Sequence, residues 1–129
     1  MRLGYTVVYV KDVAGTVAFY EKAFGLKQRF MHKRRQYAEM GTGATALAFT
    51  AEELAGAKLL GDFRRNQSSE PPAGFEISLQ TDNVEAVYLR AVKAGAQPLT
   101  EPEEKPWGQK IAFVRDCNGV LVEIASPLP

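Results

Sequence analysis

An α+β protein built from two copies of one β-α-β-β-β unit is the fold that this sequence of 129 residues predicts. A strand-like run, an amphipathic helix that stops at a glycine and a terminal hairpin occur in the first half, and the second half repeats them in the same order. Residues 61–74, between the halves, lack apolar periodicity and hold two each of Gly, Ser and Pro, which is typical of a mobile linker. Because one such unit cannot cover its own sheet, both are expected to share a single domain over residues 1–129.

The composition narrows the class of protein. A hydrophobic content of 46% suffices for one well-filled core. Sixteen Lys and Arg against fifteen Asp and Glu leave a net charge of +1, so nucleic acid is not an expected partner. Cys117 is the one cysteine, which excludes a disulfide framework. Residues 1–12 form neither a signal-peptide apolar region nor a membrane span, so a cytoplasmic protein without a membrane partner is expected.

The first unit, about residues 3–60, opens with a β-branched strand over residues 5–10. Apolar residues at helical spacing then predict a helix that ends at Gly25. Strands are predicted at residues 26–32, 36–41 and 44–49, joined by a basic turn and a Gly-Thr-Gly turn. Thr50 and Glu53 have the spacing of a capping box, which predicts a short helix running to about Leu60.

The second unit, about residues 75–127, repeats these signals at nearly constant separation. A strand over residues 75–81 precedes a helical stripe that ends at Gly95, 70 residues after Gly25. Strands follow over residues 110–114 and 120–125, the last of them matching residues 44–49 at a separation of 76. The matched helix ends support a true internal repeat.

Two motifs carry a resemblance to a known family. Residues 10–13 (VKDV) lead to residues 19–26 (FYEKAFGL), and residues 113–124 read FVRDCNGVLVEI. The first resembles a helix that runs into Phe-Tyr and ends at Phe-Gly in the vicinal oxygen chelate superfamily, and the second resembles its Asp-Pro-Asp-Gly hairpin with a later Glu. This superfamily includes glyoxalase I, bleomycin and fosfomycin resistance proteins and extradiol dioxygenases. The resemblance implies paired modules forming an open curved barrel, commonly a homodimer, with sites in the sheet clefts.

The resemblance also implies where metal ligands would lie, on the first and last strands of each module. The repeat assigns the first-strand positions to Tyr5 and Glu76 and the last-strand positions to Leu47 and Glu123. Leucine has no donor, and a tyrosine ligand requires a deprotonated phenol. No metal cofactor is therefore expected. If a divalent ion such as magnesium or manganese binds, Glu76 and Glu123 are its predicted ligands.

Glu76 and Glu123 are also the candidate catalytic residues, and we expect them to face each other across the cleft. A close carboxylate pair raises one pKa, and the protonated member then donates a hydrogen bond or acts as an acid. Such a pair suits a cationic or hydroxyl-bearing ligand. The alternative is that neighbours such as Tyr5 or Gln109 satisfy each carboxylate separately.

Further side chains are candidates for binding a ligand. Trp107, beside a glycine, is either a stacking wall or a structural plug at one barrel end. Glu39 alternates with Tyr37 along one predicted strand, so both are expected on one side of the sheet. The predicted ligand-binding residues are Tyr5, Glu39, Glu76, Trp107 and Gln109.

Two basic features have ordinary interpretations. The single histidine, His32, is expected to be a solvated residue at a strand end. Arg34 and Arg35 belong either to a solvated turn or to a site for an anionic ligand or for an acidic loop (Glu101, Glu103 and Glu104) of another subunit.

The sequence therefore predicts a small-molecule binding protein of the glyoxalase and bleomycin resistance type, with the ligand in the sheet cleft and no complete metal site. The alternative is a metal-dependent lyase, isomerase or dioxygenase of the same superfamily. A third possibility is a domain that regulates or scaffolds a partner protein. Whether the modules pair within one chain or are exchanged between subunits stays open.

Overall fold

The computed structural model describes residues 1–59 and 61–129 and separates them into two compact units. The first comprises Met1–Glu21 and Gly25–Arg65, and the second comprises Asn66–Pro129 together with Lys22–Phe24. Each unit contributes a four-stranded sheet, and the order β-α-β-β-β occurs twice along the chain. The predicted α+β class with two β-α-β-β-β modules is confirmed.

The first module contains β1 (Tyr5–Val10), α1 (Val13–Phe24), β2 (Lys27–Met31), β3 (Tyr37–Gly41) and β4 (Ala46–Ala51). Its sheet has the order β1-β4-β3-β2, with β1 parallel to β4 and the other pairs antiparallel. The helix begins after Asp12, whose side chain accepts a hydrogen bond from Gly15 N at 3.0 Å. It ends at Gly25, whose φ of 68° is the left-handed conformation of a helix stop.

Alternation along the strands divides the first sheet into two faces. Val8, Val10, Met40 and Phe49 are buried on one face, and the Tyr20 ring of α1 lies 5.0 Å from the Phe49 ring. Burial of these side chains is the main source of stability in the module. The side of the sheet that faces away from the module's long helix carries the intervening residues, among them Tyr5, Tyr37 and Glu39, and in both modules we call this side the helix-free face.

The predicted capping box is wrong. Thr50 is buried within β4, where it pairs with Tyr9 and Tyr37, and it makes no cap. Ala51 precedes α2 (Glu52–Leu54) without a side-chain hydrogen bond, and a π-helical turn, Ala55–Leu59, follows. The strand ladder continues to Ala51 and therefore holds Thr50 in an extended conformation on the sheet. The predicted end of this helix at Leu60 lies outside the described residues.

The second module contains β5 (Glu76–Gln80), α3 (Val84–Lys93), β6 (Gln97–Glu104), β7 (Lys110–Arg115) and β8 (Leu121–Ala125). Its sheet order is β5-β8-β7-β6, with β5 parallel to β8. Asn83 caps α3 by accepting from Ala86 N at 3.1 Å. Of the helices in the described residues, none is both long and apolar enough to cross a membrane.

The predicted acidic loop is an edge strand instead. Glu101, Glu103 and Glu104 belong to β6, which pairs with β7. Its register shifts between Pro98 and Thr100 and again between Thr100 and Glu103. These irregularities remove the two-residue alternation by which a strand is recognised in a sequence.

Arg115 fixes the segment that was expected to be a mobile linker. Its guanidinium is buried and donates to four backbone carbonyls: Gly119 O at 2.9 Å, Ser68 O at 3.3 Å, Gln67 O at 3.2 Å and Glu70 O at 2.6 Å. At Gly119, which has a φ of 83°, a Cβ would lie 2.6 Å from Arg115 Nη2 and 2.8 Å from Gln67 O. Glycine is therefore needed where the hairpin meets this segment.

We predict that Arg115→Ala lowers the free energy of unfolding by about 2–3 kcal/mol, because it removes four hydrogen bonds and leaves the buried Gly119 carbonyl without this donor. Arg115→Lys restores part of the loss, since one ammonium cannot reach all four oxygens. Chemical denaturation measures the stability, and hydrogen exchange is expected to accelerate in residues 66–70.

The exposed Arg64→Ala is the matched control and is expected to change stability by less than about 0.5 kcal/mol. Equal effects of the two alanine substitutions would contradict the anchoring role of Arg115.

Candidate functional site

The helix-free face of the second sheet brings together two carboxylates and a hydroxyl. Ser78 of β5 pairs with Glu123 of β8, and Glu76 pairs with Leu121. Residues two apart on a strand share a face, so Glu76 is a diagonal neighbour of Glu123. The prediction that the two carboxylates face each other across a cleft is wrong, because they lie side by side on adjacent strands of one sheet.

The electrostatics of this group follow from its geometry. Ser78 Oγ donates to Glu123 Oε1 at 2.6 Å, which fixes the Glu123 carboxylate. The pKa of Glu76 is raised, first by desolvation, then by the negative charge of Glu123 and by a hydrogen bond with it. Glu76 is exposed and Glu123 half-buried, so a ligand in solution has access to the pair. Together they offer a protonatable donor beside a carboxylate acceptor.

The strand registers correct the predicted counterpart of Glu123. β1 pairs Tyr5 with Ala46, and β5 pairs Glu76 with Leu121. If Tyr5 corresponds to Glu76, the last strands match at a separation of 75 residues, not 76. Glu123 then corresponds to Ala48, not to Leu47. Leu47 is only 4% exposed and lies on the opposite face from Ala48, since a slip of one residue reverses the face.

A second polar group lies on the helix-free face of the first sheet. Arg29 donates to Glu39 Oε1 from Nε at 3.2 Å and from Nη2 at 2.7 Å, and Tyr37 donates from its hydroxyl to Glu39 Oε2 at 2.7 Å. The predicted shared face of Tyr37 and Glu39 is confirmed. Arg29, and then Tyr37, lower the pKa of Glu39, whereas burial and the bond to Glu39 raise the pKa of Tyr37 to about 12.

An irregularity in β2 brings Arg29 to this group. The register between β2 and β3 shifts between Gln28 and Phe30, and Phe30 pairs with Glu39. The bulge lets the consecutive residues Arg29 and Phe30 reach the same face, which regular alternation forbids. For this reason the alternation of the sequence did not predict Arg29 on this face. Ser78, in contrast, was recognisable because it follows Glu76 by two residues.

Other predicted residues lie elsewhere. Trp107 is 56% exposed and donates from Nε1 to Gln109 Oε1 at 2.9 Å, and Gln109 Nε2 donates to Ser126 O at 2.8 Å. Gln109 precedes Phe113, the pairing partner of Glu123, by four residues, about 13 Å along the strand. These side chains are therefore not brought to the carboxylate pair. His32 is exposed, as predicted, and its Nδ1 accepts from Arg34 N at 3.2 Å.

Residues 2–124 match the model of the Glyoxalase/Bleomycin resistance protein/Dioxygenase superfamily. The chain belongs to this superfamily. The resemblance drawn from residues 19–26 and 113–124 is thereby confirmed.

One curated relative and several solved structures are similar to the chain over nearly its whole length. The uncharacterized protein YwbC of Bacillus subtilis (strain 168) is 29% identical over 95% of this chain and 94% of its own. A glyoxalase-related enzyme from Fulvimarina pelagi is similar with a TM-score of 0.83 and 18% identity, covering 98% of this chain and 88% of that one. A glyoxalase/bleomycin resistance protein/dioxygenase family enzyme from Burkholderia phytofirmans PsJN is similar with a TM-score of 0.82 and 22% identity, covering 99% of this chain and 100% of that one. At these identities the structural matches show the fold.

The residues at the superfamily's metal positions do not form the donor set that the resemblance implies. Metal-dependent members combine His, Gln and Glu, whereas these positions hold Tyr5, Ala48, Glu76 and Glu123. Alanine supplies no donor atom. Within residues 1–59 and 61–129, no three His, Cys, Asp or Glu side chains form a group that could hold a metal ion. Two carboxylates and one hydroxyl fall short of the usual ligand set of zinc or nickel.

We predict that Glu76→Gln makes the protein more stable than the wild type near neutral pH, by about 1–2 °C in melting temperature after allowance for solvent screening. A carboxyl whose folded-state pKa is raised weakens the fold as the pH rises through that value. The gain is expected to vanish below the ordinary Glu pKa of 4.5, where both states hold the proton. Thermal melts from pH 3.5 to 8 measure it.

Glu101→Gln, at an exposed position on β6, is the isosteric control and is expected to show no such pH-dependent gain. A wild type that is more stable than Glu76→Gln at pH 7 would refute the repulsion between Glu76 and Glu123.

Proposed function

We propose that the chain is a small-molecule binding protein that holds its ligand on the helix-free face of its second sheet, without a complete metal site. The observation that carries this proposal is the pair of Glu76, with its raised pKa, and Glu123, which is oriented by Ser78 on an accessible surface. Acidic side chains with a perturbed pKa occur preferentially at functional sites.

The chemistry of the pair indicates the kind of ligand. A protonated Glu76 donates a hydrogen bond while Glu123 accepts one, so a ligand hydroxyl can satisfy both at once. A ligand ammonium would instead favour the doubly ionised pair, because its charge relieves the repulsion. Hydroxyl-bearing and cationic molecules are therefore the proposed ligand classes.

The protein's setting completes the proposal. The single thiol of Cys117 is exposed, which suits a reducing compartment such as the cytoplasm. A homodimer is proposed because members of the superfamily are commonly homodimers. A role in antibiotic resistance would require that the ligand be a drug that the protein sequesters.

We predict that the wild type shows no stoichiometric binding of zinc, nickel, manganese or magnesium in calorimetric titrations, and that a chelator leaves its melting temperature unchanged. Ser78→His is the matched positive control, because it adds an imidazole to the two carboxylates on one face. This variant is expected to bind zinc or nickel. A stoichiometric metal in the wild type would favour the alternative, a metal-dependent lyase, isomerase or dioxygenase.

We predict further that alkylamines and polyols shift the amide resonances of β5 and β8, whereas matched aliphatic carboxylates do not, because like charges repel. In Glu76→Gln, amine affinity is expected to fall by about fivefold or more, since one carboxylate charge is lost. Titrations monitored by NMR provide the measurement. Carboxylates that bind as tightly as amines would refute the proposed ligand classes.

A further inference from the structure

Positive charge is concentrated in the β2–β3 hairpin of the first module. Residues 27–41 hold five of the sixteen Lys and Arg but one of the fifteen Asp and Glu. The rest of the chain therefore carries eleven basic against fourteen acidic residues. The basic residues of the hairpin are Lys27, Arg29, Lys33, Arg34 and Arg35. A chain that is nearly neutral as a whole thus has a local site of attraction for an anion.

The exposed aromatic residue Phe30 directly follows Arg29 in this hairpin. Phe30 is 48% exposed, and its ring centroid lies 6.2 Å from that of the half-buried Tyr37. The bulge in β2 places Phe30 and Arg29 on the same face, and Tyr5, also exposed, lies on this face on β1. A flat apolar surface next to a guanidinium is suited to an aromatic ring with an anionic substituent.

The hydrogen bonds of Arg29 determine which part of it is available. Nε and Nη2 both donate to the same oxygen of Glu39, and the second oxygen of Glu39 is occupied by the Tyr37 hydroxyl. In the part of the chain that the structure describes, Nη1 has no hydrogen-bond partner. The carboxylate therefore orients the guanidinium, while the Nη1 edge of this half-exposed side chain is open to another acceptor.

We propose that the helix-free face of the first module binds a small aromatic carboxylate, with its ring against Phe30 and its carboxylate at the Nη1 edge of Arg29. This site is built from residues of the first module, whereas the carboxylate pair belongs to the second, and the two have opposite charge preferences. A single anionic group matches one accessible guanidinium edge. A nucleic acid would need an extended basic surface, and the chain outside this hairpin is acidic.

The test uses three probes of matched shape or charge, titrated into the intact protein and followed by backbone amide shifts. We expect 2-naphthoate to bind with a dissociation constant of about 0.1–1 mM and to shift amides of Lys27–Met31 and Tyr37–Gly41. Uncharged 2-naphthamide and non-aromatic cyclohexanecarboxylate are expected to bind at least about fivefold more weakly. No shift in Lys27–Met31 and Tyr37–Gly41 at saturating naphthoate would overturn this site and leave the proposed function of the second module standing.

Variants then distinguish a specific ion pair between the ligand and Arg29 from the general attraction of the basic hairpin for anions. Arg29→Gln is expected to weaken 2-naphthoate binding about tenfold, and the matched Arg34→Gln, on the exposed turn, less than about twofold. Glu39→Gln keeps an oxygen acceptor that can orient Arg29 but removes a competing negative charge, so it is expected to strengthen binding. A folding defect would not produce such a gain. The proposal would be overturned by equal losses in the two arginine variants or by weaker binding in Glu39→Gln. It would also be overturned if an oligothymidylate bound more tightly than 2-naphthoate.

Discussion

The site depends on one constraint, which is that successive side chains along each strand point to opposite faces of the sheet. Val122 and Ile124 are buried on one face of β8, so Glu123 between them must point to the other. The same constraint on β5 buries Ile77 and leaves Glu76 and Ser78 on the side of Glu123. No polar contact has to assemble this group, because the apolar residues between its members set the register.

The constraint explains which parts of the molecule were predictable from the sequence. Both long helices were located because apolar residues at helical spacing lead to a glycine, and in the structure α1 stops at Gly25 while Gly95, with a positive φ, follows the end of α3. Regular strands followed from their alternation. A bulge is set by the register with the partner strand and breaks the two-residue alternation within its own strand, which explains why the position of Arg29 and the strand β6 were missed. The capping box at Thr50 failed for a related reason, since pairing with β1 and β3 overrode a local signal.

The two modules treat their carboxylates in opposite ways. In the first, Glu39 is neutralised by Arg29 and receives a second hydrogen bond from Tyr37, so its negative charge is favoured. In the second, Glu76 meets another carboxylate and a desolvating surface, so its charge is disfavoured. Two copies of one backbone pattern thus present surfaces of different electrostatic character. This difference is what a duplicated fold needs if its two faces are to recognise different groups.

The carboxylate pair of the second module lowers the stability of the fold, and this loss of stability is relevant to function. A pair of like charges on adjacent strands destabilises the fold at neutral pH, and a glutamine at either position would remove the repulsion while keeping the size of the side chain. Stability alone gives no reason to keep both carboxylates on an accessible face, with one of them oriented by Ser78. Such local conflicts with stability are found chiefly at functional sites. At the corresponding position of the first module, Ala48 carries no charge and no donor, so the conflict is confined to the second sheet, where a cationic or hydroxyl-bearing ligand would relieve it.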